Sequence, residues 1–256
     1  MKVTVCEMTD SAEGFARDWQ RLAAHVRAEA SDLVLLPEMP FFPWFALTPQ
    51  FDAGHWQAAV AAHAAWLERL PELAPAVVLG TRPVEVNGRR LNEGFVWEAS
   101  SGYRIAHYKY YLPEDPGFWE ASWYERGDGD FTPIDCGPVR VGFQVCTELW
   151  FFQHSRAYGK AGAHIIACPR STPLATADKW LAGGRTAGVV AGAYCLSSNH
   201  AGLAGDGSAL GGLGWVTGTE GQVLGVTTPE KPFVTVEIDL GEAELAKNTY
   251  PRYVKD

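Results

Sequence analysis

The stretch Asp32-Leu33-Val34-Leu35-Leu36-Pro37-Glu38 decides the fold class. Four consecutive apolar residues between a polar residue and a proline predict a short strand that is buried on both faces, as in a parallel sheet covered by helices. Glu38 follows the C-terminal end of this strand, which is the edge at which open α/β sheets bind ligands. The stretch therefore predicts both an architecture and a candidate functional position.

Helical and strand patterns alternate on either side of this stretch. A strand at 2–8 precedes Asp10-Ser11, which can cap a helix from about Ala12 to Ala30. A second helix is predicted from about Pro49 to Leu70, and a buried strand follows at 76–80. This alternation predicts a layered α/β architecture.

Two later strands also end at residues that could take part in chemistry. The strand from Tyr103 to Tyr108 ends before Lys109, and the strand from Val139 to Val145 ends at Cys146. A helix is predicted from Glu148 to about Ala161, so Cys146 would lie on an elbow between a strand and a helix.

The other segments fit the same architecture. Asn87-Gly88 predicts a two-residue hairpin turn, Lys179 to Tyr194 predicts a helix rich in small residues, and Gly214 to Asp239 predicts a meander of strands. No linker or low-complexity segment interrupts the pattern, so we expect residues 1–256 to form a single domain.

The chain also contains a weak internal echo. The segment 31–38 resembles the segment 161–170, and each ends in a proline followed by a charged residue. The echo predicts two similar half-sheets, although any buried strand that follows a helix can produce such a pattern.

Composition and charge narrow the possible partners. Lys and Arg total 21 against 30 Asp and Glu, which gives a net charge of -9, and no run of basic residues could follow a phosphate backbone. We therefore expect no nucleic-acid partner. No apolar stretch approaches the roughly 20 residues of a membrane span, and no signal peptide is evident, so we expect a cytoplasmic protein with no membrane partner.

The cysteines predict reduced thiols rather than disulfides or a metal site. They are five in number, widely spread and never spaced as C-x-x-C, and no histidine pattern has ligand spacing, so we expect neither a metal nor a cofactor. Four of them are interpreted as structural: Cys6 in a strand, Cys136 in a turn, Cys168 at a strand end and Cys195 at a helix end. Cys146 is the candidate nucleophile, because a thiol at a helix N-terminus has a lowered pKa.

Glu38, Lys109 and Cys146 gain meaning as a set. Taken singly, each could be an ordinary surface or core residue. Together, three strand ends deliver a carboxylate, an ammonium and a thiol, which can serve as base, oxyanion partner and nucleophile in acyl transfer from an amide.

At this point the chain resembles the nitrilase superfamily of carbon–nitrogen hydrolases, in its amidase-like branch. Its Glu, Lys and Cys motifs recur in order, as Val34-Leu35-Leu36-Pro37-Glu38, Tyr108-Lys109-Tyr110-Tyr111-Leu112-Pro113 and Gln144-Val145-Cys146-Thr147-Glu148-Leu149-Trp150-Phe151. The resemblance implies a four-layer α-β-β-α sandwich of two similar half-sheets, and a homodimer or higher homo-oligomer. It also implies that Glu38 is the general base and acid, and that Cys146 carries a thioester intermediate. Lys109 and the backbone N–H of Thr147 would then hold the oxyanion.

The resemblance also implies a second glutamate after the lysine. Glu120 fits the register better, and Glu114 is the alternative. At Glu148 the chain departs from the amidase pattern, since amidase-like members usually have Asp there and nitrile-cleaving members usually have Glu.

Two further residues are candidates for substrate contact. Trp150 belongs to a set of aromatic residues that follow the three strand ends, and such residues either line a pocket or pack the loops. Arg170 follows the strand that ends at Cys168-Pro169, where it could grip a substrate carboxylate or make a structural ion pair.

The favoured function is hydrolysis of a small linear amide to an acid and ammonia. Hydrolysis of an N-carbamoyl amine or of a nitrile are the close alternatives. In another class, the fold could serve as a binding or assembly module without catalysis.

Overall fold

The structure, a computed structural model, describes residues 1–255. Its strands in chain order are β1 (Lys2–Thr9), β2 (Leu33–Leu35), β3 (Val77–Val86), β4 (Arg89–Glu98), β5 (Gly102–Tyr108), β6 (Ile134–Cys136), β7 (Val139–Phe143), β8 (Ile165–Arg170), β9 (Tyr194–Leu203), β10 (Ala209–Gly211), β11 (Trp215–Thr217), β12 (Val223–Val226) and β13 (Phe233–Glu237). Its α-helices are α1 (Ala12–Glu29), α2 (Ala53–Leu67), α3 (Glu120–Trp123), α4 (Phe152–Lys160), α5 (Ala177–Ala191) and α6 (Leu240–Ala246). Short 3₁₀ segments lie at Leu70–Leu73, Cys146–Trp150 and Leu174–Thr176.

The strands form two half-sheets that join at the centre. One half runs β5-β4-β3-β2-β1-β13, and the other runs β6-β7-β8-β9-β11-β12 with β10 on the edge of β9. Strand β1 pairs with β9 through Glu7–Thr9, which connects the halves. Each half has a parallel core with antiparallel strands outside it, as the internal echo predicts.

Alternation along the central strands produces the layers. Val3 and Val5 of β1 pack in one core cluster with Ile165 and Val141 of the opposite half, whereas Cys6 packs in a second cluster with α1. One face of each half-sheet therefore meets the other half, and the outer face is covered by helices, α1 and α2 on one side and α4 and α5 on the other. This is the predicted α-β-β-α sandwich.

Local chemistry explains where several elements begin and turn. Ser11 caps α1 by accepting a hydrogen bond from the N–H of Gly14 (3.2 Å). Asn87 and Gly88 both have positive φ, 52° and 75°, as a hairpin turn between β3 and β4 requires. Both features agree with the sequence prediction.

Three predicted elements differ from the structure, and the elbow after β7, described below, is a fourth. Cys195 lies in strand β9, not at a helix end, because the small-residue helix stops at Ala191 and Gly192 follows in the left-handed conformation. Cys136 ends strand β6 instead of lying in a turn, since it pairs with Val139. Helix α2 begins only at Ala53, because Asp52 supplies the N-cap by accepting from His55 N–H.

The elbow after β7 also differs from the prediction. A 3₁₀ segment occupies Cys146–Trp150, and the α-helix starts at Phe152 instead of Glu148. The side chain of Glu148 accepts from the N–H of Val145, which holds this first turn tight. Asp256, the last residue of the predicted single domain, lies outside the described residues. Among residues 1–255, no helix combines the length and the apolar character needed to cross a bilayer.

Candidate active site

Glu38 and Lys109 meet in the interior although 71 residues separate them in the chain. Lys109 Nζ donates to Glu38 Oε1 at 2.7 Å, and both side chains are completely buried. Glu38 follows β2 and Lys109 follows β5, so the carboxyl ends of these strands face the same place. Cys146, at the end of the strand segment that contains β7, lies within electrostatic reach of both residues.

Glu120 joins this pair, and Glu114 does not. Lys109 Nζ also donates to Glu120 Oε2 at 2.6 Å, and Glu120 is buried at the start of α3. Glu114 is exposed and accepts hydrogen bonds from Ser122 instead. Of the two glutamates that the sequence left open, the geometry brings only Glu120 to Lys109.

Sequence reasoning missed two residues that complete the arrangement. Asn92 Nδ2 donates to Glu38 Oε1 at 2.8 Å from the middle of β4, and the hydroxyl of Tyr124 donates to Glu120 Oε2. Asn92 lies in a strand that also contains Arg89, Arg90 and Glu93, so no local pattern singles it out. Nothing local singles out Tyr124.

Burial and charge set the protonation of this cluster. Burial raises the pKa of Glu120 to about 7, and nearby Glu38 adds to the rise while Lys109 opposes it. Burial alone would lower the pKa of Lys109, but Glu120 and Glu38 together raise it above its usual range. Lys109 therefore stays a cation. One oxygen of each carboxylate, Glu38 Oε2 and Glu120 Oε1, has no hydrogen-bond partner among the described residues.

Cys146 is a neutral thiol in this environment. Burial raises its pKa well above its usual range, and the negative charge of Glu38 raises it further, while Lys109 lowers it. This is contrary to the low pKa that the predicted helix N-terminus would give, because the carboxylates and the loss of water outweigh any help from the elbow. The thiol needs a base before it can attack.

The elbow itself is held in a conformation that few side chains adopt. Cys146 has φ 49°, in the left-handed region. Glu148 braces it: Oε2 accepts from Val145 N–H at 2.8 Å and contacts His107 Nε2 at 2.8 Å, and Oε1 accepts from Tyr110 N–H at 2.7 Å. All three partners are protein groups, so Glu148 connects the elbow at Cys146 to the segment that contains Lys109.

A second set of buried contacts, made by His200, supports the backbone at Glu38. His200 Nε2 donates to the backbone carbonyl of Glu38 at 2.6 Å, and Nδ1 lies 3.0 Å from Asp10 Oδ1. The latter contact is an ion pair when the imidazole is protonated. Burial opposes a charge on His200, but Asp10 and Glu38 raise its pKa overall. Both ring nitrogens therefore face acceptors, as a protonated imidazole requires.

A cavity of about 320 Å³ opens beside the cluster. Cys146, Thr147, Trp150 and Glu120 line it, so four of the predicted site residues share one space. The rest of the lining comes from the loop before α3 and from the segment that leads into α5: Pro113, Asp115, Phe118, Ser171, Thr172, Pro173, Thr176, Lys179 and Trp180. The volume suits a small molecule of a few carbon atoms.

Of the two roles left open for the aromatic residues that follow the three strand ends, packing of the loops is the one that most of them have. Phe118 and Trp150 line the cavity. Phe41 packs against α1, and Trp44 and Phe45 belong to a separate buried cluster beneath the loops. Their role is to fix the loops that carry Glu38 and Glu120.

Arg170 does not line the cavity, contrary to its predicted place at the substrate. It is completely buried, and its guanidinium donates to Ser197 Oγ, to Thr172 Oγ1 and to the carbonyl of Leu213 at 2.6, 2.7 and 2.8 Å. No carboxylate among residues 1–255 pairs with it. The alternative of a structural ion pair therefore fails as well, and its charge is held by neutral acceptors.

Comparisons with known proteins agree with this fold. A sequence model of the Carbon-nitrogen hydrolase family matches residues 2–248. A glutamine-dependent NAD(+) synthetase from Rhodobacter capsulatus is 29% identical over 171 residues, which are 66% of this chain and 29% of that protein. An N-carbamoylputrescine amidase from Arabidopsis thaliana is 23% identical over 168 residues, 63% of this chain and 55% of that protein. The matched segments thus span between about a third and about half of these relatives.

Solved structures show the same architecture. A carbon-nitrogen hydrolase from Helicobacter pylori G27 superposes with a TM-score of 0.83 at 19% identity, covering 99% of this chain and 94% of that one. The NitFhit protein of C. elegans superposes with a TM-score of 0.85 at 18% identity, covering 98% and 64%. An amidase from Nesterenkonia sp. AN1, solved with acrylamide added to its active site cysteine, superposes with a TM-score of 0.74 at 19% identity, covering 97% and 99%. At these identities the likeness establishes the fold.

Proposed function

The chain belongs to the carbon-nitrogen hydrolase family, and we propose that it hydrolyses a small linear amide to an acid and ammonia through a thioester on Cys146. The observation that carries the proposal is the buried Glu38–Lys109–Glu120 cluster beside a cavity that Cys146 lines. A thiol and a carboxylate line one small cavity, and that carboxylate is hydrogen-bonded to a buried cation. These are the groups that acyl transfer needs.

In the first step, Cys146 Sγ attacks the amide carbonyl carbon. Because the thiol is neutral, its proton must leave as the bond forms, and the free oxygen of Glu38 is the acceptor that we propose. The carbonyl oxygen becomes an oxyanion, which Lys109 and the N–H of Thr147 would stabilise. Lys109 suits this role, since its raised pKa keeps it charged.

In the second step, the tetrahedral intermediate collapses. The carbon–nitrogen bond breaks, Glu38 returns the proton to the leaving nitrogen, and ammonia departs from the thioester. Water then gives its proton to Glu38 and attacks the thioester carbon, and the sulfur leaves as the thiol with that proton. The products are an acid, ammonia and the starting enzyme.

Glu120 has a supporting role in this scheme. With a pKa of about 7, it changes charge in the range where the enzyme would operate. Its ionised form shares Lys109 with Glu38 and so keeps the ammonium centred between the two carboxylates. Glu120 lines the cavity and its Oε1 has no hydrogen-bond partner among the described residues, so we propose that this oxygen contacts the substrate amide.

Hydrolysis of N-carbamoyl amines is the second candidate. The names of the plant relatives favour it, and Asp115 on the cavity wall could hold a cationic amine tail. The identity of Glu148 does not favour nitriles, because its carboxylate is engaged with the protein and does not line the cavity.

The test measures ammonia release from a panel of linear amides, N-carbamoyl amines and nitriles. We expect amides to be hydrolysed, and Glu38→Gln and Cys146→Ala to lose at least about a thousandfold in kcat/KM. Exclusive turnover of carbamoyl amines or of nitriles would replace the amide assignment. No turnover of any class would favour a binding module.

Labelling with acrylamide provides an independent readout. The thiol adds across the carbon–carbon double bond, and intact mass measures one adduct per chain. Cys146 lines the cavity, whereas Cys136 and Cys168 are completely buried and do not. We expect Cys146→Ala to lose the adduct and Cys136→Ala, the matched control, to retain it. An adduct that persists in Cys146→Ala would contradict the proposed nucleophile.

A further inference from the structure

The cavity wall formed by Ser171 and Thr172, which follow β8, carries hydrogen-bond donors that have no acceptor among the described residues. Ser171 is only 1% exposed, yet its hydroxyl has no partner among the described residues. It lines the cavity. An unpaired buried hydroxyl costs stability, so its presence here points to a ligand.

The hydroxyl of Thr172 is a second available donor. Its oxygen accepts from Arg170 Nη1 at 2.7 Å and from Asn199 Nδ2 at 3.1 Å. Two donated hydrogen bonds fill the lone pairs of a hydroxyl oxygen, which leaves its hydrogen free to point elsewhere. Thr172 lines the cavity, so a ligand bound there is the acceptor that we infer for this hydrogen.

One positive charge lies on each side of this wall: Lys179 on the cavity side and Arg170 behind it. Lys179, at the start of α5, lines the cavity, and no acidic side chain among residues 1–255 pairs with it. Its ammonium lies 5.7 Å from the centre of the Trp150 ring. Behind the wall, the buried charge of Arg170 acts on Thr172 without a counter-ion. Two hydroxyl donors and an ammonium form a surface for a group that only accepts hydrogen bonds.

We propose that the substrate amide carries a carboxylate at its far end, which Ser171, Thr172 and Lys179 bind. This inference rests on the proposed function, because it assumes that the amide itself lies at Cys146. Lys179 is the one cationic side chain in the described lining of the cavity, which matches a singly charged carboxylate better than a dianion. Asp115 lies on a different segment, the loop before α3, and leaves the Ser171 wall free of negative charge.

Arg170 acts here as a positioning residue, not as the direct grip that the sequence suggested. Its guanidinium contacts Trp180 and Trp215, at 5.7 and 5.5 Å from the ring centres. These rings and its three acceptors fix the guanidinium in place, so it orients Thr172 and supplies positive potential through it.

The experiment compares three amides of similar length: glutaramate, with a carboxylate, pentanamide, with a methyl group, and 4-aminobutanamide, with an ammonium. We expect kcat/KM for glutaramate to exceed that for pentanamide by about tenfold or more, mainly through KM. Lys179→Met and Ser171→Ala should each reduce this ratio by about fivefold. Asp115→Asn, the matched control at the same cavity, should not reduce it.

Binding to the Cys146→Ala protein separates the two proposals. Calorimetry should show that glutaramate binds more tightly than pentanamide. Glutaramate that binds but is never hydrolysed by the wild type would overturn the proposed function and leave the carboxylate site standing. Hydrolysis of pentanamide or 4-aminobutanamide at least as well as glutaramate would overturn the carboxylate site and leave the amidase standing.

Discussion

Replacing Glu120 by Gln should weaken the dependence of folding stability on pH. Glu120 is completely buried, and its pKa is about 7 in the folded protein against 4.5 in the unfolded chain. The folded state therefore binds this proton more tightly than the unfolded state. The resulting stabilisation is complete below about pH 4.5 and is lost as the pH rises through about 7.

The size of the effect follows from the two pKa values. One pKa unit corresponds to about 1.4 kcal/mol, so the full shift from 4.5 to about 7 is worth about 3 kcal/mol. Between pH 5 and pH 8, where most of the titration falls, the wild type should lose about 2 to 3 kcal/mol through Glu120. Gln carries no proton to lose, so the variant should lack this loss.

The assay is urea unfolding of wild type and Glu120→Gln at pH 5 and pH 8. At pH 5 the folded wild type carries mostly protonated Glu120, which resembles Gln, so the two proteins should differ little. At pH 8 the wild type should be the less stable by about 2 to 3 kcal/mol, read from the midpoints at a common slope. Glu114→Gln is the matched control, since Glu114 is exposed and contacts Ser122 instead of Lys109. It should follow the wild type.

The ionisation of Glu120 should also change the pH dependence of kcat/KM. Because ionised Glu120 shares Lys109 with Glu38, we expect kcat/KM to rise with pH through about 7 in the wild type. The rise should be absent from Glu120→Gln. Parallel stability differences between pH 5 and pH 8 in wild type and variant would refute the reasoning, because Glu120 would then titrate alike in both states.

Three further substitutions test residues of the site and of helix α5, which packs beside it. Ser171→Ala should raise the free energy of unfolding by about 1 kcal/mol in urea melts, because it removes an unpaired buried hydroxyl; a loss would mean that the hydroxyl has a protein partner. His107→Leu should destabilise the fold by about 3 kcal/mol near pH 6, since it leaves buried Glu148 without its cation. Burial opposes a charge on His107, but Glu148 together with the Asp130 carbonyl raises the pKa of His107 overall. This cost should therefore shrink as the pH rises above the unfolded value of 6.5 through that raised pKa; a cost independent of pH would exclude an ion pair. Gly184→Ala should lower thermal stability by about 1 to 3 kcal/mol, because its methyl group would lie 2.2 Å from the Trp215 ring; unchanged melting would show that the ring can move.

Local sequence was enough to predict the elements that carry the candidate site. The apolar run before Glu38 and the alternation before Cys146 predicted strands because burial patterns depend on near neighbours. Where the prediction failed, the boundary of the element depended on a contact between residues distant in the chain or on a single capping residue. Helix α5 ends at Gly192, and the next residues pair with β8, so Cys195 became a strand residue.

The partners within the site could not be predicted from local patterns. Asn92 reaches Glu38 across 54 residues, and His200 reaches it across 162. The first contact forms only once β2, β3 and β4 have paired, and the second only once the two half-sheets have joined. For Arg170, the sequence predicted either a substrate contact or a structural ion pair. It could not reveal that Ser197, Thr172 and the Leu213 carbonyl satisfy the guanidinium.

The structure gives a physical basis for the internal echo between segments 31–38 and 161–170. Glu38 and Arg170 end the two matching strand units, and the N–H of Glu38 donates to the carbonyl of Arg170 at 3.2 Å, so the equivalent ends touch. Met39 and Leu213, beside these ends, share with Cys146 the left-handed backbone that side chains rarely adopt. Strained residues persist only where the surrounding structure fixes them. Here Cys146 lines the cavity, and Met39 and Leu213 lie beside the ends of the two strand units. One strand unit thus ends at a carboxylate that acts on the thiol, and the other ends at a guanidinium held behind Thr172, which is the charge arrangement that the proposed amide with a terminal carboxylate requires.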